Sequence, residues 1–193
     1  MPRGDDNRRA AGAETGPAGL YAREIPGEGD EALVLLHGFG GSHHIWDEVI
    51  AHLDSSRPIL AYDLPGHGKS LDAFRDGAAA SFARMILADL NARGMVSVHL
   101  VGHSLGGAVS VLVGLFEPQR VRSMTLLAPG GFGPEINASL LQQLARSETE
   151  EDIASSLRAM AAPSFAPSET LVRQTWKERS VPGQRETLER LFA

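Results

Sequence analysis

The run Gly102-His103-Ser104-Leu105-Gly106 sets one hydroxyl between two glycines, just after the apolar stretch Val96 to Val101 and just before the small-residue stretch Leu105 to Phe116. On a strand-to-helix turn that spacing has a mechanical reason. Side chains at 102 and 106 would strike the neighbouring strand or helix, so both positions take glycine and Ser104 is lifted to the C-terminal edge of a sheet. A serine so placed attacks an electrophilic carbonyl carbon, and the charge that develops on the carbonyl oxygen calls for preset hydrogen-bond donors. The Leu105 amide is one candidate donor. The loop His37-Gly38-Phe39-Gly40-Gly41 closes another apolar stretch, and the Phe39 amide is the candidate for the second. Each such donor is worth about 3–4 kcal/mol in the transition state. His37, Gly38, Gly102, His103 and Gly106 complete the candidate site as motif or substrate-lining positions.

The elements that must hold these residues are legible in the apolar pattern. Ala32 to Leu36 is a short continuous run of the kind a strand buried on both faces shows, and it ends in the first glycine loop. Ser42 is a helix cap, followed by Ile45, Trp46, Val49, Ile50 and Leu53 at helical spacing. Pro58 to Tyr62 is a second buried strand, closing in Asp63-Leu64-Pro65-Gly66-His67-Gly68-Lys69-Ser70, after which a loop is expected. Ser81 to Arg93 carries its apolar residues on one side and stops at Gly94. Val96 to Val101 and Val121 to Leu127 are strands three and four, with Leu105 to Phe116 a helix between them. Strands alternating with helices of this length imply right-handed crossovers and a mostly parallel sheet with helices on both faces. Beyond Pro129 the grammar is helical only, with helices expected near Asn137 to Arg146, Glu150 to Met160, Ser168 to Arg179 and Gln184 to Phe192.

Composition bounds the function. At 193 residues and 42% hydrophobic, the chain holds enough apolar matter for one real core. A net charge of -6 offers no basic stripe for nucleic acid or an anionic membrane surface. The absence of cysteine excludes a disulfide scaffold, a thiolate nucleophile and a cysteine-ligated metal, and no metal or diffusible cofactor is implied. Residues 1–19 are rich in Gly, Ala, Pro and charge and read as a flexible tail; Arg8 and Arg9 precede no apolar stretch fit for a signal peptide or a membrane span, which places the protein in the cytoplasm. Two other motifs are imitations. Gly38-Phe39-Gly40-Gly41-Ser42-His43 has His43 where a dinucleotide loop needs glycine, and Gly68-Lys69-Ser70 has Asp63 where a phosphate loop needs one.

HGFGG at 37–41, DLPGHGKS at 63–70 and GHSLGG at 102–107, in this order and with these elements between them, resemble the α/β-hydrolase superfamily over about 20–132. Ala128-Pro129-Gly130-Gly131-Phe132-Gly133-Pro134-Glu135-Ile136-Asn137 and the later Thr170-Leu171-Val172-Arg173-Gln174 resemble the hydrolase-like catalytic domain of the dihydrolipoyl acetyltransferase component of acetoin dehydrogenase, with meta-cleavage product hydrolases close behind. The resemblance implies a core over 20–133, a helical cap or lid over 134–193, and an α/β-hydrolase fold that is incomplete, because two further strands would pair beyond Val121 to Leu127. That strand is then expected to expose unpaired backbone and an apolar face, with poor solubility or marginal stability as the consequence.

In this superfamily the acid and the histidine follow the nucleophile along the chain. Here all seven histidines, at 37, 43, 44, 52, 67, 99 and 103, precede Ser104, and no later acid has a seat at a strand end. His37 reads as loop-shaping, His103 as turned away from the serine, His43 and His44 as solvated or substrate-facing, His99 as structural, and Asp63 as a turn stabiliser. The expected function is a serine hydrolase acting on an ester, thioester or activated carbonyl, present without its triad acid and histidine. An acyltransferase of an acetoin dehydrogenase-type complex, which calls for a lipoyl domain this chain does not contain, and a non-catalytic ligand-binding pseudoenzyme stay open. The partner is a small acyl or carbonyl substrate, with a homo-oligomer or a multienzyme complex as the assembly.

Overall fold

Four apolar runs become strands and build one sheet in the computed structural model, which describes residues 16, 19–53, 56–133 and 136–191. They are β2 (Glu31–Leu36), β3 (Ile59–Tyr62), β4 (Ser97–His103) and β5 (Val121–Leu127), and a fifth, β1 (Ala22–Ile25), joins them. The order is β1-β3-β2-β4-β5, parallel throughout except for β1, which runs antiparallel to β3. β1 has no apolar signature because an antiparallel edge strand tolerates charge, here Arg23 and Glu24. The expected tail lies outside the described residues except for Gly16 and Gly19.

Helices cover the two faces unequally. On one face α2 (Ala79–Ala92) and α3 (Leu105–Phe116) close over Val34, Leu36, Leu60, Tyr62, Val98 and Leu100, with Phe82, Ile86 and Leu90 supplying the α2 side. On the other, Trp46 packs on Leu35, Ile59 and Ala61. The helix expected after Ser42 is in fact a 3-10 turn, His43–Trp46, followed by α1 (Asp47–His52); the Ser42 hydroxyl caps it by accepting from the His44 amide at 3.3 Å. The loop expected after Ser70 is partly ordered as a 3-10 segment, Gly68–Ala73. Among the described strands β5 lies at the sheet edge, and Leu127 is exposed there.

The last stretch is helical among its described residues: α4 (Ala138–Arg146), α5 (Glu150–Ala159), α6 (Glu169–Arg179) and α7 (Gln184–Leu191). Leu144, Ile153, Ala154 and Val172 form their own small core, and Phe39 from the first glycine loop packs into it. The starts of these helices follow their cap residues. Asn137 and Ser168 accept from the amides of Leu140 and Leu171, and Thr149 with Asp152 forms a reciprocal capping box. No described helix is long and apolar enough to cross a membrane.

β4, paired on both sides by β2 and β5, runs through the larger core. Leu100→Ala removes a fully buried side chain from the middle of the larger core and is expected to cost about 2–5 kcal/mol. Val96→Ala, at a position 64% exposed, is expected to change stability by less than about 0.5 kcal/mol. Urea unfolding followed by circular dichroism measures both.

Candidate active site

Ser104 stands between β4 and α3 with φ 50 and ψ -113, a left-handed conformation that a serine holds only when its surroundings impose it. Those surroundings are backbone. A Cβ on Gly106 would lie 2.3 Å from the Leu36 carbonyl oxygen, and one on Gly102 would lie 2.4 Å from the Gly106 oxygen. The helix can therefore start against the end of β2 only if both residues are glycine. The Ser104 amide donates to Leu127 O at 3.0 Å, and the Ser104 carbonyl accepts from the amides of Ala108 at 3.1 Å and Gly130 at 2.9 Å. The peptide on either side of the hydroxyl is thus fixed from three elements. Ala128, with φ 42, is the second strained residue and ends the strand that supplies this support.

The first glycine loop closes on the same spot. A Cβ at Gly38 would come within 2.8 Å of His103 Nδ1 and 3.1 Å of Ser104 Cβ. His103 and Ser104 therefore both flank Gly38, and the loop that carries Phe39 abuts the serine. The Gly38 carbonyl is engaged on one side only, accepting from the Gly41 amide at 3.0 Å and facing His37 Nδ1 at 2.7 Å. Across a trans peptide the N–H points opposite to the carbonyl, so the Phe39 amide is aimed away from that turn. Leu105 is the first residue of α3, where amides have no intrahelical acceptor.

His37 is a strut. Its Nε2 accepts from the Leu64 amide at 3.0 Å, so Nδ1 carries the proton and donates to Gly38 O. This joins the HGFGG loop to the DLPGHGKS loop. Asp63 makes the second joint: it accepts from the His43 amide at 2.6 Å, from His43 Nδ1 at 2.8 Å and from the Lys69 amide at 2.9 Å. Burial opposes ionisation of Asp63, yet the His43 bond, aided by the neighbouring imidazoles, holds its carboxyl below the usual carboxylate value. The expectation that His43 is solvated or substrate-facing is corrected here: the ring is buried and spent on Asp63. His44 is half-buried and pairs with Asp47.

No signal in the sequence pointed to the two residues that fasten the helical segment to this site. Glu178 Oε1 accepts from the Ser42 hydroxyl at 2.7 Å, and Arg179 Nη2 donates to Gly40 O at 3.2 Å. Consecutive residues of α6 thus grip the C-terminal end of the glycine loop. Burial pushes the Glu178 carboxyl up and draws the Arg179 guanidinium down to about 10. Arg179 Nη1 and His67 Nε2 are buried without a hydrogen-bond partner among the described residues.

The rings of His37, His43, His44, His52, His67 and His99 are all hydrogen-bonded to groups other than Ser104. Among the described residues that leaves a hydroxyl on a strained turn with none of these six imidazoles engaged on it, while the seventh, His103, stands beside it against Gly38.

Two of the struts make the fold acid-sensitive. Burial pushes His37 below its ordinary value, and pushes His67 to about 3. The unfolded chain takes up these protons near pH 6.5 and the folded protein refuses them. The contribution of these rings is therefore complete above about pH 6.5 and is lost as pH falls, the His67 share down to about pH 3, with a slope approaching about 1.4 kcal/mol per pH unit for each ring that stays unprotonated in the fold. Urea midpoints measured down that window should show the slope, and His67→Gln should remove one ring's share; midpoints independent of pH would contradict the assignment.

Comparison with known proteins places this geometry. The family model described as alpha/beta hydrolase fold matches residues 31–190. The dihydrolipoyllysine-residue acetyltransferase component of the acetoin cleaving system of Pseudomonas putida is 43% identical over 130 residues, 67% of this chain and 35% of that protein. The 2-hydroxy-6-oxononadienedioate/2-hydroxy-6-oxononatrienedioate hydrolase of Burkholderia vietnamiensis is 33% identical over 175 residues, 84% of this chain and 60% of that protein. Among solved structures, a meta-cleavage product hydrolase from Pseudomonas fluorescens superposes with a TM-score of 0.76 at 22% identity, over 93% of this chain and 67% of that one. The chain spans 35% and 60% of the lengths of the two curated relatives. The profile match over most of the chain, together with the strand order and the strained serine after β4, leads to one conclusion: the chain belongs to the α/β-hydrolase fold family.

Proposed function

We propose that the chain is the nucleophile-bearing part of a serine hydrolase that acts on an ester, thioester or activated carbonyl. Ser104 is the nucleophile, and the amides of Phe39 and Leu105 receive the oxyanion. Residues 20–133 form the core, and α4–α7, within 134–193, act as a cap that seats the substrate against the glycine loop through Glu178 and Arg179. The observation that carries the reading is the strained Ser104 turn with the Gly38 loop closed against it. A hydroxyl without a base stays protonated, so this chain by itself is expected to retain only the residual acceleration of oxyanion binding, about 10³–10⁴ over water.

Two further readings each have an observation in their favour. The likeness to an acetyltransferase component at 43% identity supports acyl transfer within a multienzyme complex; acyl transfer to coenzyme A rather than to water then distinguishes the two. The engagement of six imidazoles elsewhere supports a ligand-binding module without chemistry.

A fluorophosphonate probe decides between chemistry and binding. Trypsin releases Ser104 on the peptide 94–120, and the expected result is labelling of that peptide that vanishes in Ser104→Ala. Folded protein that takes no label there supports the binding module instead.

A further inference from the structure

The end of the sheet opposite Ser104 holds another serine in a continuous chain with an imidazole and a carboxylate. Ser123 on β5 is the direct cross-strand partner of His99 on β4, and Glu31 on β2 pairs with Ser97, two residues before His99 and on the same face. Ser123 Oγ lies 2.7 Å from His99 Nδ1, and His99 Nε2 lies 2.9 Å from Glu31 Oε1. The carboxylate fixes the direction of the protons. An ionised Glu31 only accepts, so Nε2 is the donor; in the neutral ring Nδ1 then keeps its lone pair and the Ser123 hydroxyl donates to it. Hydrogen bonds, from His99 foremost and then from Arg57, hold the Glu31 carboxyl down to about 2, so it is ionised at neutral pH. Hydroxyl, imidazole and carboxylate with protons running this way are the arrangement in which the ring serves as a general base.

A bulge supplies the second observation. The register passes from Val98↔Val121 to His99↔Ser123, so Arg122 is an extra residue in β5. Consecutive strand residues ordinarily face opposite sides, and a bulge re-aims them. Here Arg122 Nε comes within 3.8 Å of Glu31 Oε2, while Arg57 Nε donates to Glu31 Oε1 at 2.7 Å. Two guanidiniums border one carboxylate, and one of them belongs to the residue next to Ser123 in the chain. Ser123 is exposed and His99 half-buried.

We propose that Ser123 is a second nucleophile, with His99 as its base and Glu31 as the orienting carboxylate, and that it accepts the acyl group of small activated aryl esters. Ser123 Oγ bonds to the acyl carbon as its proton passes to His99 Nδ1; the carbon–aryloxide bond then breaks and the phenol leaves with that proton. Acyl-Ser123 and a phenol are the products, and the imidazole is neutral again. Ser123 sits inside a strand rather than at a helix start, so its own backbone amide belongs to the sheet and reaction is confined to leaving groups that depart easily. The group stands about 17 Å along β4 from Ser104, at about 3.3 Å per residue, so the proposal is independent of what Ser104 does.

The test uses the full chain carrying Ser104→Ala, incubated with 4-nitrophenyl acetate and mapped after trypsin. Ser123 lies on the peptide 123–146, separate from the Ser104 peptide. The expected result is acetylation of 123–146, at least tenfold lower when Ser123→Ala, His99→Gln or Glu31→Gln is added, each variant being checked for an unchanged circular dichroism melt. Should His99→Gln weaken the sheet, Ser123→Ala and Glu31→Gln decide. No acetyl group on Ser123, or acetylation indifferent to a folded His99→Gln or Glu31→Gln variant, overturns the proposal and leaves the network as a brace between strands.

Discussion

The approach of α3 to the end of β2 is the contact on which the site depends. The Gly106 backbone sits so close to the Leu36 and His37 carbonyls that a methyl group would overlap them. Because the helix starts there, Ser104 must turn through a left-handed conformation, and because Ser104 turns, its hydroxyl leaves the plane of the sheet at the strand end. The first glycine loop leaves that same strand end. Its closeness to the serine follows from the sheet register, in which Leu36 and Gly102 are partners. Ser104 and the loop are brought together by two adjacent parallel strands.

The polar groups around this contact do structural duty. Asp63, His37 and His43 tie the two loops after β2 and β3 into one piece. Their cost is desolvation, met by hydrogen bonds to backbone amides that would themselves be orphaned without them. The helical segment joins through Ser42–Glu178 and Gly40–Arg179, so whatever moves α6 acts directly on the loop bearing Phe39. Here α6 and the loop bearing Phe39 form one mechanical unit.

Much of this was legible in the sequence, and the reasons differ by residue. The strands β2, β3 and β4 are buried on both faces and advertise it with unbroken apolar runs. The glycine spacing about Ser104 is legible because it stands between an apolar strand run and a small-residue helix run, although the carbonyls that demand Gly106 belong to another strand. β1 stayed hidden because charged edge strands lack that pattern, and the split of the helix after Ser42 because a 3-10 turn and an α-helix share apolar spacing over so few residues. His43 was misread because its partner, Asp63, is twenty residues away and in another loop. Glu178 and Arg179 were invisible for the same reason at greater distance: nothing in local spacing links residue 179 to residue 40. Position in sequence reports contacts along one element well and contacts between elements poorly.

The account rests on amides preset for negative charge beside Ser104. A crystal structure of the chain with an aryl boronic acid bound to Ser104 Oγ tests this without calling on a base. One boronate oxygen is predicted to lie about 2.7–3.1 Å from both the Phe39 and the Leu105 nitrogen. A boronate whose oxygens all face solvent, with the Phe39 amide out of reach, would contradict it.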